Sequence, residues 1–253
     1  MNEVLLDAKN LVKRYGGRTV VDQLSFHVRR GEIVGLLGRN GAGKTTSFRM
    51  SVGMIDPDAG SVFFDHRDVT RLPMYLRATA GMGYLSQEPS VFRRLSVIDN
   101  LLAILETIRG KTRAQRLEQA EHLIEQFGLT RQRNQMAGLL SGGERRKLEI
   151  ARALVTDPKL IMLDEPFSGV DPKAVEDLQA EILKLKHEKG IAVLLTDHNV
   201  RETLRVTDRS YIIHEGRLLA EGPPSAIVQN PAVRETYLGS SLRVDEFESP
   251  MSR

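Results

Sequence analysis

Gly38, Arg39, Asn40, Gly41, Ala42, Gly43, Lys44 and Thr45 stand consecutively, in the order G-x-x-x-x-G-K-[ST] that cradles phosphate. The glycines let backbone N–H groups close on phosphate oxygens where a side chain would collide with the ligand. Lys44 supplies a cation for the β- and γ-phosphates, and the Thr45 hydroxyl is placed to ligate Mg²⁺. The helix that opens there, through Thr46, points the positive end of its dipole at the nucleotide. The apolar run 33–37 just before it reads as the buried strand this loop requires. The expected ligand is a nucleoside triphosphate with Mg²⁺.

Two further segments carry matching chemistry. Leu160, Ile161, Met162 and Leu163 lead directly into Asp164 and Glu165. A buried strand here delivers both carboxylates to the sheet's carboxyl edge, where α/β folds bind ligands. Asp164 would hold Mg²⁺ through water, and Glu165 would polarise an attacking water. Ser141, Gly142, Gly143 and Glu144 then open another helix, a second surface suited to phosphate. One complete cradle already serves the chain's own nucleotide. The second surface is therefore expected to act on a nucleotide bound mainly by another copy of the protein.

The elements that must position these groups follow from patterning. Residues 4–37 alternate apolar segments with turns at Gly16-Gly17 and Arg30-Gly31, which predicts antiparallel strands leading into the central strand. Strand patterning continues at 60–64 and 83–85. A helix with a capping-box-like start at Ser96 and Asp99 follows, then a second from Thr112 with Gln115 three positions on, ended by Gly128. This helical stretch runs to about Leu139. Strand–helix alternation returns with a strand at 160–163, a helix over Pro172–Lys189, a strand at Ala192–Thr196 and a short helix near Val200–Leu204. Segments 211–213 and 217–220 around Glu215-Gly216 predict a hairpin. Such alternation implies a parallel sheet covered on both faces.

Composition sets bounds. The chain has 253 residues, 41% hydrophobic and 27% charged, the balance of an ordinary globular protein with a sizeable core. Net charge is +3, from 36 basic and 33 acidic residues; so slight an excess gives no argument for nucleic acid. With no cysteine, thiolate metal sites and disulfides are excluded. The amino terminus lacks signal-peptide character, and no apolar run reaches the ~20 residues that cross a bilayer. The expected location is cytoplasmic, with membrane contact only through a partner.

In this order and spacing, the motifs resemble those of ABC transporter nucleotide-binding subunits across nearly the whole chain. The resemblance implies an α/β P-loop fold: a RecA-like parallel-sheet core, an N-terminal antiparallel β subdomain and a helical subdomain at about 88–155. All lie in a single domain spanning 1–240, with 241–253 as a polar, loosely ordered tail. It implies ATP and Mg²⁺ as ligands and a head-to-tail homodimer in which 141–144 close on the partner's ATP. Carried over by position, Tyr15 stacks on adenine, Gln87 links Mg²⁺ and water to a membrane subunit, and His198 contacts the γ-phosphate. Ser168 and Asp171 belong to a loop crossing the dimer interface. Taken singly, each of these side chains has a plainer reading: turn packing for Tyr15, an exposed strand end for Gln87, a helix N-cap for Asp171, and an ordinary histidine for His198. One departure is Glu144, where glutamine is commoner in the superfamily.

Within the superfamily, residues 84–97, 140–150, 196–204 and the run Tyr237-Leu238-Gly239 are similar to the ATPases of the lipopolysaccharide-export system. This implies docking beneath two transmembrane permease subunits on the cytoplasmic face of the inner membrane, with lipopolysaccharide as cargo moved towards the outer membrane. Phe92 and Arg93 then belong to the groove that receives a membrane subunit; the other reading buries Phe92 in the subunit's own core. The alternatives are the ATPase of a branched-chain amino-acid importer and a soluble ABC ATPase of cluster assembly.

Overall fold

The computed structural model describes residues 3–238; the expectations for 241–253 and for Gly239 fall outside them. Two sheets share the chain. Strands β1 (Val4–Tyr15), β2 (Arg18–Arg29), β4 (Ala59–Phe64) and β5 (Arg67–Asp68) form an antiparallel sheet in the order β2-β1-β4-β5. The second sheet has the order β10-β9-β3-β8-β7-β6. It comprises β3 (Ile33–Gly38), β6 (Met82–Leu85), β7 (Leu160–Asp164), β8 (Ala192–Thr196), β9 (Arg209–His214) and β10 (Arg217–Gly222). All its neighbours run parallel except the β9–β10 hairpin. Every residue of β3, β7 and β8 is buried, because helices or the other sheet cover both faces. The α/β class, the parallel core and the antiparallel N-terminal layer are those expected.

Helix α1 (Lys44–Val52) follows β3, and α2 (Met74–Ala80) precedes β6. Between β6 and β7 stand α3 (Val97–Leu105), α4 (Arg113–Gln126) and α5 (Gly142–Leu154). The caps explain these boundaries. Thr112 and Gln115 form a full capping box at the start of α4, and Ser96 caps α3 by accepting from the Asp99 amide at 3.1 Å. Gly128, at φ 64°, takes the left-handed conformation just after α4. After β7 come α6 (Pro172–Lys189) and α7 (Val200–Leu204), and after β10 come α8 (Pro224–Gln229), α9 (Pro231–Val233) and a π turn at Arg234–Leu238. One apolar cluster joins α3–α6 to the core sheet, and another fills the space between the two sheets around α1. No helix among the described residues is long and apolar enough to cross a membrane.

Helix α2, in a stretch without a clear periodic signal, is fixed by one residue. Arg77 is 1% exposed and has no carboxylate partner among the described residues. Its guanidinium donates to the carbonyls of Met50 and Ser51 at the end of α1, and to Thr70 and Leu72. It therefore satisfies orphan carbonyls at a helix C-terminus with a cation, as the dipole favours. Burial draws its pKa down to about 10. Arg77→Met should cost about 3 kcal/mol, since four carbonyls, three of them in buried bonds, lose a charged donor; urea denaturation would measure it, and a loss near zero would contradict the role.

Candidate functional site

The phosphate loop joins β3 to α1. A Cβ at Gly38 would lie 2.2 Å from the Ile213 carbonyl of β9, so only glycine lets the loop leave the sheet there. Lys44 is 5% exposed. Its ammonium donates to the carbonyls of Gly38 (2.6 Å) and Arg39 (3.1 Å). Desolvation lowers its pKa, against the pull of Glu165, Asp197 and Asp164. A buried cation held by two neutral carbonyls suits a loop built for an anionic ligand.

Two clefts open beside this loop. The smaller, about 260 Å³, is lined by Val20, residues 40–46 and Glu165. The larger, about 1090 Å³, is lined by Arg18, Thr19, Val20, residues 38–42, His198, His214, Glu215 and Tyr237. Gly38, Arg39, Asn40, Gly41, Ala42, Gly43, Lys44, Thr45 and Thr46 thus meet Glu165 and His198 at one sheet edge. Tyr15 lines neither cleft. It is 49% exposed, with the Lys13 ammonium 5.6 Å from its ring centre. Sequence reasoning missed Arg18, His214, Glu215 and Tyr237. The Glu215-Gly216 turn gave a signal as a hairpin, and Tyr237 as part of the run Tyr237-Leu238-Gly239, neither as a cleft wall.

Two side chains converge on Glu165. Gln87 Nε2 donates to its carboxylate at 2.8 Å, and His198 Nδ1 lies 3.5 Å from the same oxygen. Glu165 sits at φ 47°, a left-handed conformation unusual for a non-glycine residue, and its amide donates to the Thr196 carbonyl at 2.9 Å. Strain of this kind gathers at functional sites. Asp197, fully buried, accepts from the amides of Phe167 and Asn199 and so fixes the strand end that carries His198; burial raises its pKa.

Asp164 is 2% exposed, and its carboxylate accepts a hydrogen bond from the Thr196 hydroxyl at 3.0 Å. Burial, with Glu165 beside it, raises its pKa. A buried carboxylate with one neutral donor fits a site that receives a cation. Among the described residues no group of three His, Cys, Asp or Glu could hold a metal ion.

Ser141, Gly142, Gly143 and Glu144 line neither cleft. They begin α5, with Ser141 as N-cap: its hydroxyl accepts from the Glu144 amide (3.3 Å), and its own amide donates to Glu144 Oε2 (2.9 Å). Gln132 Nε2 donates to the other carboxylate oxygen at 2.7 Å. Glu144 is therefore the outer half of a capping box, a role open to glutamine as well. The bond from Ser141 lowers its pKa. Asp171 caps α6 through the Ala174 amide at 3.1 Å, and the Ser168 amide donates to the Glu165 carbonyl at 3.3 Å. Phe92 is 47% exposed, which excludes the core placement; the Arg152 guanidinium stacks 4.5 Å from its ring centre. Arg93 beside it is exposed.

A family model described as ABC transporter matches residues 21–168, and one described as branched-chain amino acid ATP-binding cassette transporter matches 217–242. The chain is 52% identical to the lipopolysaccharide export system ATP-binding protein LptB of Escherichia coli K12, over 94% of this chain and 99% of that one. Identity to LptB of Acidithiobacillus ferridurans is 51% over 95% and 99%. Among solved structures, the ADP conformation of MJ1267, an ATP-binding cassette of an ABC transporter, superposes with a TM-score of 0.83 at 31% identity, covering 93% of this chain and 99% of that one.

The capping box yields a direct test. Glu144→Gln should leave α5 unchanged, whereas Glu144→Ala should lose about 1 kcal/mol. Amide hydrogen exchange at 142–145 should rise only in the alanine variant; equal exchange in both would remove the box.

Proposed function

Because the chain belongs to the ABC transporter family of ATP-binding proteins, we propose that it is the ATP-hydrolysing subunit of a transporter that exports lipopolysaccharide from the inner membrane towards the outer membrane. The observation that carries this reading is the end-to-end similarity to LptB, and the convergence of Gln87 and His198 on the Glu165 carboxylate supplies its chemistry. A second reading, a branched-chain amino-acid importer, is favoured by the match at 217–242. Mass spectrometry of membrane subunits co-purified from solubilised membranes decides between them.

In the proposed reaction, the loop amides and Lys44 hold the triphosphate. The ammonium exchanges its carbonyl partners for phosphate oxygens. Glu165 takes a proton from water as the water oxygen bonds to the γ-phosphorus and ADP leaves. Gln87 orients the Glu165 carboxylate, and His198 faces the same point from the end of β8. When bound, Mg²⁺ neutralises phosphate charge; the Thr45 hydroxyl and Asp164 would hold it, with Gln87 adjoining. Tyr15 stacks on adenine from its exposed position at the end of β1.

The exposed Ser141, with Gly142 and Gly143, completes the site of a second copy. Two chains then close around two nucleotides, and 168–171 crosses the interface. A ligand bound at that interface favours the closed pair, which is what a nucleotide-driven change of state requires. The homodimer sits at the cytoplasmic face of the inner membrane beneath two permease subunits, one of which contacts Phe92 and Arg93.

Glu165→Gln should keep ATP affinity and lose about 100-fold or more in kcat; unchanged turnover would remove Glu165 from its role. Ser141→Arg should bind ATP as a monomer yet fail to dimerise with it. Light scattering that showed normal ATP-dependent dimers would overturn the shared site.

A further inference from the structure

Helices α3 and α5 each begin on a serine with an acid three residues on, and the two pairs behave differently. At the start of α3 the Ser96 hydroxyl donates to Asp99 Oδ2 at 2.5 Å. At the start of α5 both oxygens of Glu144 are taken by other donors. One accepts from the Ser141 amide at 2.9 Å and the other from Gln132 Nε2 at 2.7 Å. The Ser141 amide, and after it the Ser141 hydroxyl, lower the Glu144 pKa, so the hydroxyl lies close to the carboxylate. Even so, no bond of the Ser96–Asp99 kind joins them among the described residues.

Gln132 reaches this position at a cost to itself. It ends the single 3-10 turn Thr130–Gln132 and is half-buried. Its Oε1 is buried with no hydrogen-bond partner among the described residues, a loss that a polar group does not normally accept. The amide is therefore oriented by the one group its nitrogen meets, which is Glu144. No cation relieves the carboxylate. Arg145 donates instead to the Leu140 carbonyl at 2.9 Å, and Lys147 to Asp177 at 3.0 Å. Glu144 has no ion-pair partner among the described residues.

We infer that Gln132 is a positioning residue of the shared nucleotide site: it holds the Glu144 carboxylate aside, so that the exposed Ser141 hydroxyl can donate to the triphosphate of a second copy, while the unneutralised charge of Glu144 limits how tightly the two copies close. This rests on the reading of Ser141 given above. A carboxylate and a phosphate oxygen are both acceptors, and they compete for the single hydroxyl proton. They also repel each other as like charges. Without Gln132, the Glu144 carboxylate is free to take the hydroxyl as Asp99 takes that of Ser96. In a head-to-tail pair both effects count twice, once at each nucleotide.

The test uses the full chain carrying Glu165→Gln, in which ATP should stay bound, and reads the dimer dissociation constant with Mg²⁺ and ATP by sedimentation equilibrium. Gln132→Ala should weaken this dimer about tenfold. Glu144→Gln should tighten it, and the gain should shrink as salt rises from about 50 mM to about 1 M, because screening removes the same repulsion. Added to Glu144→Gln, Gln132→Ala should change the constant less than about twofold, since a neutral amide is the weaker competitor. If Gln132 merely props the turn that carries it, the alanine variant loses equally in both backgrounds, and that result would overturn the inference. A Glu144→Gln dimer no tighter than its parent at low salt would do the same. Failure of the Glu165→Gln chain to pair at all with ATP would remove the shared site itself, and the inference with it.

Discussion

A charge imbalance at the carboxyl edge of the core sheet governs this molecule. Lys44, Asp164 and Asp197 are nearly or wholly removed from water, and in each the environment disfavours the charged form. Lys44 satisfies its hydrogen-bonding capacity on the carbonyls of its own loop, and Asp164 leans on a threonine hydroxyl. Such groups are costly to bury unless something supplies the missing counter-charge. A metal–triphosphate pair presents both signs in the needed order. The rest of the fold, from the fully buried strands to their helical cover, can be understood as holding that edge rigid and dry.

Local chemistry was legible in the sequence wherever neighbours in the chain dictate the outcome. The phosphate loop, the carboxylates ending β7, the capping box at Thr112 and Gln115, Gly128 beyond α4 and the turn at Glu215-Gly216 each lie within a few residues of what they shape. Contacts between distant segments were not legible. Arg77 gives no hint that it will be sealed beneath the end of α1, because an arginine's usual place is the surface. Tyr237 reaches the large cleft only through a π turn after two short helices. Arg18 and His214 face the phosphate loop because β2 and the β9–β10 hairpin pack against it. Tyr15 stands at a strand end that sequence can mark as aromatic but cannot aim.

Helix α5 joins these regions. Beyond the cap at Ser141, Arg146 donates to the Ser86 carbonyl and pairs with Glu149, which in turn accepts from the Ser90 amide. Arg152, two turns on, reaches Phe92. Three polar residues at intervals of three thus grip the segment that carries Gln87, from the helix that Ser141 caps. The bonds tie α5 to the 86–92 segment, while the buried Nε atoms of Arg146 and Arg152 have no hydrogen-bond partner among the described residues.

The β9–β10 turn carries an implication for anyone wishing to re-engineer the chain. Two-residue hairpin tips are ordinarily good places to graft an epitope, splice a reporter or open new termini. Here Gly216 at the tip is buried against the phosphate loop and β2, although Glu215 beside it is exposed. Gly216 donates to Ala42 of the phosphate loop and accepts from Asp22 of β2, and a Cβ on it would lie 2.6 Å from the Val20 carbonyl. A graft at this point would pry the loop away from the antiparallel layer, so permutations and fusions belong elsewhere on the surface.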